Sequence, residues 1–255
     1  MSGVETDIES ILYFMDTTLG IPDFPDYDAA QNGLQVQGSR PVRKIGAAVD
    51  ASVQTIDAAI AESIDLLIVH HGIFWGGLQP LTGRHYRRVA PLLKAGVGLY
   101  SAHLPLDAHP ELGNCARLLG ALGLEPKVRF GRFGGEDIGF EAVADEHRDG
   151  LLERTERVLG CPVRLIAGGP THVKRIGVVT GAGGSFVGAA ALAGLDTLVT
   201  GEASHHTYVD AMELGVNVIL GGHYATETFG VRALAAFVGE RFGVSWQFLD
   251  YPTGF

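Results

Sequence analysis

Apolar positions along the chain change period several times, and each change marks an element. Ile8, Ile11, Leu12, Met15 and Leu19 recur three and four apart, the stripe of an amphipathic helix, and Thr6-x-x-Glu9 reads as its capping box. Pro22 and Pro25 end that helix. IGAAVD (Ile45 to Asp50) is then a short apolar run of strand length. Ser52 to Ser63 is a helix with Ile56, Ala59 and Ile60 inward, and DLLIV (Asp65 to Val69) is a second buried strand. Strand, helix and strand in that order predict a βαβ unit, hence a parallel sheet covered on its faces.

The pattern repeats. Ile45 to His71 aligns without a gap on Ile176 to Glu202, with identities at Ile45/Ile176, Gly46/Gly177, Ala51/Ala182, Ala58/Ala189, Ala59/Ala190, Asp65/Asp196 and Leu67/Leu198. The next element agrees: GVGLYSAH (Gly96 to His103) and GVNVILGGH (Gly215 to His223) are both strands ending in histidine. Each of those histidines precedes an acid by four positions, His103 with Asp107 and His223 with Glu227. A helix follows each, Glu111 to Leu122 and Glu227 to Phe242, the second with Thr226 as N-cap. Between the copies, IGFEAVA and VRLIAG read as strands and Leu151 to Leu159 as a helix. The expected fold is α/β: two pseudo-symmetric three-layer halves of βαβ units with mixed or parallel sheets, and the functional site between them. The boundary falls near Pro126, giving residues 1–126 and 127–255, with the C-terminal helix and its ligands packing back toward the first half.

Composition narrows the function. No apolar run approaches the roughly 20 residues that span a bilayer, and Met1 to Asp7 lacks the basic region of a signal peptide, so a cytoplasmic, non-membrane protein is expected. Cys115 and Cys161 are the only cysteines and stand at no metal-ligand spacing, which makes them packing residues. A formal charge of −10, with Arg84, Arg87 and Arg88 the one basic cluster, disfavours nucleic acid and leaves small molecules or protein partners.

Histidine placement is the strongest chemical signal. His70, His71, His103, His223, Asp107, Glu202 and Glu227 all lie at or just after the carboxyl ends of predicted strands, where parallel α/β sheets gather their ligands. Imidazoles and carboxylates collected there suit two divalent ions. Neighbouring strand residues point to opposite faces, so His70 and His71 serve one site only if the chain turns, and Gly72 supplies the freedom to do so. His205 and His206, shortly after Glu202, either orient ligands or sit exposed at a helix start. Phe74 and Trp75 could wall a pocket and stack on a flat substrate, or be buried at a domain or subunit contact. The turn TGAGGS (Thr180 to Ser185) reads as a βα turn or an anion seat, without the lysine of a P-loop.

Taken in order, NGLQVQG (Asn32 to Gly38), IVHHGIFWG (Ile68 to Gly76), YSAHLPLDAH (Tyr100 to His109), TGAGGS, TGEASHH (Thr200 to His206) and GGHYATE (Gly221 to Glu227) resemble the GTP cyclohydrolase 1 type 2 family, also called the Nif-three-like family, in its compact bacterial type. The resemblance implies a dinuclear centre of zinc, manganese, iron or cobalt held by His70, His71, Asp107, His223 and Glu227, with Glu227 bridging. His103 belongs to the motif without being a ligand and is assigned either as a residue that orients the ligands from behind or as a proton carrier, the catalytic candidate. The family also implies a homohexamer, a trimer of dimers. Function is then expected to be metal-dependent hydrolysis of a nucleotide or another small phosphorylated substrate through a metal-activated water, cyclohydrolase-like or phosphoesterase-like. The alternative is a non-catalytic metal-binding ring that handles metal or regulates.

Overall fold

The computed structural model describes residues 6–255; Met1 to Glu5, and with them most of the stretch read for a leader, lie outside the described residues. In chain order the elements are α1 (Ile8–Leu19), β1 (Gly33–Val36), β2 (Lys44–Asp50), α2 (Val53–Ala61), β3 (Leu66–His71), α3 (Gly83–Ala95), β4 (Gly98–Ser101), α4 (Leu104–Asp107) and α5 (Asn114–Ala121). They continue with β5 (Arg129–Phe133), β6 (Glu136–His147), α6 (Arg148–Leu159), β7 (Arg164–Ala167), β8 (His172–Val179), α7 (Val187–Leu192), β9 (Thr197–Thr200), α8 (His206–Leu214), β10 (Asn217–Leu220), α9 (His223–Thr226), α10 (Thr228–Phe242) and β11 (Ser245–Phe248).

Two compact units result, residues 1–106 with 231–251, and residues 107–230 with 252–255. This division does not coincide with a boundary near Pro126. Cys115, Ala116, Leu118, Leu119 and Leu122, on and just after α5, bury against Phe140, Ala142, Ile176 and Val199, so the chain joins the second core well before that proline. Likewise β11 pairs in parallel with β2, drawing the C-terminal segment into the first unit.

The first unit holds a five-stranded sheet in the order β1-β4-β3-β2-β11, with only β1 antiparallel. On one face Ile56 and Ala59 of α2 and Leu92 of α3 pack with Leu67, Val69 and Leu99. Tyr100, the next residue along β4, points to the other face, where its hydroxyl donates to Asp16 of α1. Asp7 caps α1 by accepting from Ser10 N, one residue later than the Thr6 box predicts. The second unit holds a six-stranded sheet in the order β5-β6-β8-β9-β10-β7, in which β8, β9 and β10 run parallel.

The duplication extends to atomic detail. Ile45 pairs with Leu66 as Ile176 pairs with Thr197, the same register in each copy. Asp65 accepts from the backbone N–H groups of Arg43 and Lys44, and Asp196 accepts from those of Lys174 and Arg175. The identity of these two aspartates therefore has a cause: each fastens the start of one strand to its neighbour. No described helix is long and apolar enough to cross a membrane.

Candidate metal centre

In the first unit, His70 and His71 are the last residues of β3. Their ring centroids stand 4.8 Å apart, so they meet although they are strand neighbours. Gly72 does not achieve this through a left-handed φ, as the sequence suggested; it is absent from the positive-φ residues, and a Cβ there would instead strike the Gln35 amide. His70 is fully buried and its Nδ1 lies 2.8 Å from Ala102 O. A carbonyl oxygen only accepts, so Nδ1 carries the proton and Nε2 presents the lone pair. His71 Nδ1 sits 2.9 Å from Asp50 Oδ1, the residue directly opposite it in register on β2.

His103 stands two residues past the end of β4, and its Nδ1 lies 2.9 Å from Asp26 Oδ1. Asp26 also accepts from Tyr27 N, Leu104 N and Asn32 Nδ2, while Asn32 Oδ1 accepts from His103 N. Burial alone would raise the Asp26 carboxyl; the hydrogen bond and charge of His103, with the Asn32 and Tyr27 donors, outweigh it and hold the group below its usual range. His70, His71 and His103 each bring a ligand atom within 4.8 Å of the others, a group able to hold a metal ion.

In the second unit, His223 opens α9 after Gly222, whose φ is 90°. Its Nδ1 is 2.9 Å from Glu202 Oε1 and its Nε2 is 3.1 Å from Glu227 Oε2. Burial pulls the imidazole down, but the hydrogen bonds and charges of Glu227 and Glu202 prevail and lift it to about 9. Glu227 is 2% exposed and Asp107 5%. Asp107 Oδ1 accepts from Asn114 Nδ2 and Thr180 Oγ1, and Asn114, fully buried, also accepts from Gly230 N. Gly181, at φ +61°, leaves the space these groups need: a Cβ there would collide with Glu227 Oε1 and come within 3.2 Å of His223 Nε2.

One device recurs in all four histidines. Each fixes Nδ1 against an oxygen, Ala102 O, Asp50, Asp26 or Glu202, which sets the tautomer and aims Nε2, the usual way proteins prepare an imidazole for metal. Imidazole Nε2 atoms in the first unit, and His223 with the buried carboxylates in the second, are donors that zinc, manganese, iron or cobalt accept, so each unit's residues fit such an ion, His223 once its ring has given up a proton.

Sequence reading missed Asp26 and Asn114, which carry no spacing signal, and gave no role to Asn32 and Thr180, although each opens a motif that was singled out. Asp50 was findable, since it ends a predicted strand as the histidines do. Glu202 orients His223. His205 and His206 are exposed at the start of α8, and in the TGAGGS turn Gly181 N already donates to Thr226 Oγ1 and Gly184 N to Glu202 O.

Known proteins resemble the chain over nearly its whole length. It is 44% identical over 248 residues to a GTP cyclohydrolase 1 type 2 homolog of Deinococcus radiodurans, covering 96% of this chain and 94% of that one. The corresponding homolog of Pyrococcus horikoshii is 45% identical over 251 residues, covering 97% and 99%. Among solved structures, TTHA1606 from Thermus thermophilus superposes with a TM-score of 0.87 at 42% identity, covering 98% and 100%. The protein ybgI, described as of unknown function, gives 0.89 at 36%, covering 96% and 98%. With residues 6–253 matching the Duf34/NIF3 (NGG1p interacting factor 3) family, the chain belongs to that family.

Proposed function

We propose that His70, His71, Asp107, His223 and Glu227 together hold two divalent ions, and that the protein is a metal-dependent hydrolase of the GTP cyclohydrolase 1 type 2 kind. Its substrate is a nucleotide or another small phosphorylated molecule. The observation that carries this reading is the Nδ1 anchoring of all four histidines near strand ends, by the Ala102 carbonyl and the carboxylates of Asp50, Asp26 and Glu202, which simple packing does not require. Bound divalent ions would supply Lewis acidity, activating water and polarising the substrate.

The chain's own residues do the rest. Asp107 is held rigid by Asn114 and Thr180, and Glu227 is kept in place by the space at Gly181. His103 is the proton carrier: ionised Asp26 on Nδ1 stabilises the imidazolium that forms when Nε2 takes up a proton. We place the protein in the cytoplasm as a homohexamer.

The test is elemental analysis of protein purified without added metal, followed by turnover of a nucleotide and phosphoester panel by wild type, His71→Ala and Glu227→Ala. About two ions per chain, with activity abolished in both variants and the oligomer intact, is the expected result. A metal-loaded parent that turns over nothing, with variants that only lose assembly, would establish the non-catalytic metal-handling ring instead.

A further inference from the structure

Large aromatic rings left in water beside a polar site need a reason. Trp75 is 38% exposed and Tyr27 53%, and both border the imidazole group of the first unit. The Trp75 ring stands edge-on to His103 at 4.8 Å and to His71 at 6.0 Å, while Tyr27 lies 6.1 Å from both Trp75 and His103. Phe74, its sequence neighbour, turns the other way, against His85 and the core under α3. The sequence could not choose between Phe74 and Trp75; the structure separates them.

The loops that carry both exposed rings are fixed in advance. Gly77 N donates to Phe74 O, closing a turn around Trp75, and Gly77 adopts a φ of +68° that a glycine reaches without strain. Tyr27 N donates to Asp26, the carboxylate that also holds His103. Gln35 ties the two loops together: its Oε1 accepts from Ile73 N, and its Nε2 donates to Ala30 O and Gln31 O. Rings held this way lose little freedom when a ligand arrives. Their planes meet at 60°, a corner in which one ring lies against the face of a flat ligand and the other meets its edge.

We propose that Tyr27 and Trp75 are specificity-determining residues and that the substrate carries a flat unsaturated ring seated in the corner between them. This deepens the hydrolase reading, and rests on it for the location of the reaction. The test titrates metal-loaded full-length protein calorimetrically with GMP, AMP, UMP and nicotinamide mononucleotide. The comparator is ribose 5-phosphate, which keeps the sugar and phosphate but has no ring. At least one nucleotide should bind roughly tenfold tighter than ribose 5-phosphate. Trp75→Ala and Tyr27→Ala should each weaken that nucleotide by about five- to a hundredfold, the range of single base-stacking contacts, and leave ribose 5-phosphate unchanged; Trp75→Phe should retain most of the preference. The proposal is overturned if no nucleotide exceeds ribose 5-phosphate, if the variants weaken both alike, or if they change the oligomeric state while ring preference persists. Metal content measured on the same samples separates the two readings. Absence of ring preference in fully metal-loaded wild type, or its persistence in both alanine variants, defeats this inference alone, whereas absent metal defeats the hydrolase reading whatever the rings do.

Discussion

Gly181→Ala isolates the space requirement at Glu227 and His223 in the second unit. Gly181 sits at φ +61°, so alanine there costs about 1–2 kcal/mol in left-handed backbone strain. Gly160, at φ +69° with nothing within 4 Å of an added methyl group, carries the same backbone cost and nothing else, which makes Gly160→Ala the control. At about 2–4 °C per kcal/mol for a chain of this size, both metal-free variants should melt about 2–8 °C below wild type and close to one another. The added methyl at 181 meets the terminal oxygen of a flexible side chain, Glu227, and that carboxylate gives way. The extra cost therefore falls on metal binding: a displaced ligand should weaken affinity by at least the roughly 10–100-fold seen when orienting groups are lost. The assay is metal content by elemental analysis together with melting temperature with and without added zinc or manganese. Wild type and Gly160→Ala should gain stability from the ion and Gly181→Ala should gain little. Wild-type metal content in Gly181→Ala, with an equal thermal gain, would refute the argument.

Further outcomes follow from the same geometry. Asp50→Asn removes the carboxylate that aims His71, so chelator competition should show metal affinity reduced about 10–100-fold, while the partly exposed position keeps the melting temperature within about 2 °C; unchanged affinity would show that His71 needs no such partner. His223, lifted to about 9 by Glu227 and Glu202 against its burial, stabilises the metal-free protein fully below its ordinary 6.5 and loses that contribution as pH rises through about 9. Metal needs the neutral ring, so its affinity should climb between pH 7 and 9, and a flat profile in chelator titrations would contradict this. Cys115, pushed up to about 12 by burial and by Asp107, should resist thiol reagents at pH 8 in the native protein and react on unfolding; prompt native labelling would show that the core opens there.

Local patterns were legible where one element buries a continuous face. The α1 stripe, the β2-α2-β3 unit and its copy could all be read from apolar period, because side-chain period follows directly from backbone geometry. α3 escaped notice because its exposed positions outnumber its buried ones, His85 and Leu92, and it carries Pro91. β11 is a short, largely exposed edge strand whose partner β2 lies some 200 residues earlier in the chain, so no local signal marks it. Thr226 shows how a good local rule can be overridden. It has the chemistry of an N-cap for the last helix, yet its hydroxyl accepts from Gly181 N and donates to Gly222 O and His223 O.

The sequence by itself determined the two βαβ copies, the strand ends at which histidines and acids accumulate, and the family resemblance carried by those segments. These follow from periodicity and from residue type at a strand terminus, which neighbours along the chain suffice to specify. Tertiary structure alone decided which oxygen holds each imidazole, that Trp75 rather than Phe74 faces outward, and why Gly181 can bear no methyl group. Such choices depend on atoms brought within 3 Å by sheet register and loop closure, contacts whose separation along the chain, 77 residues for Asp26 and His103, leaves no trace in spacing.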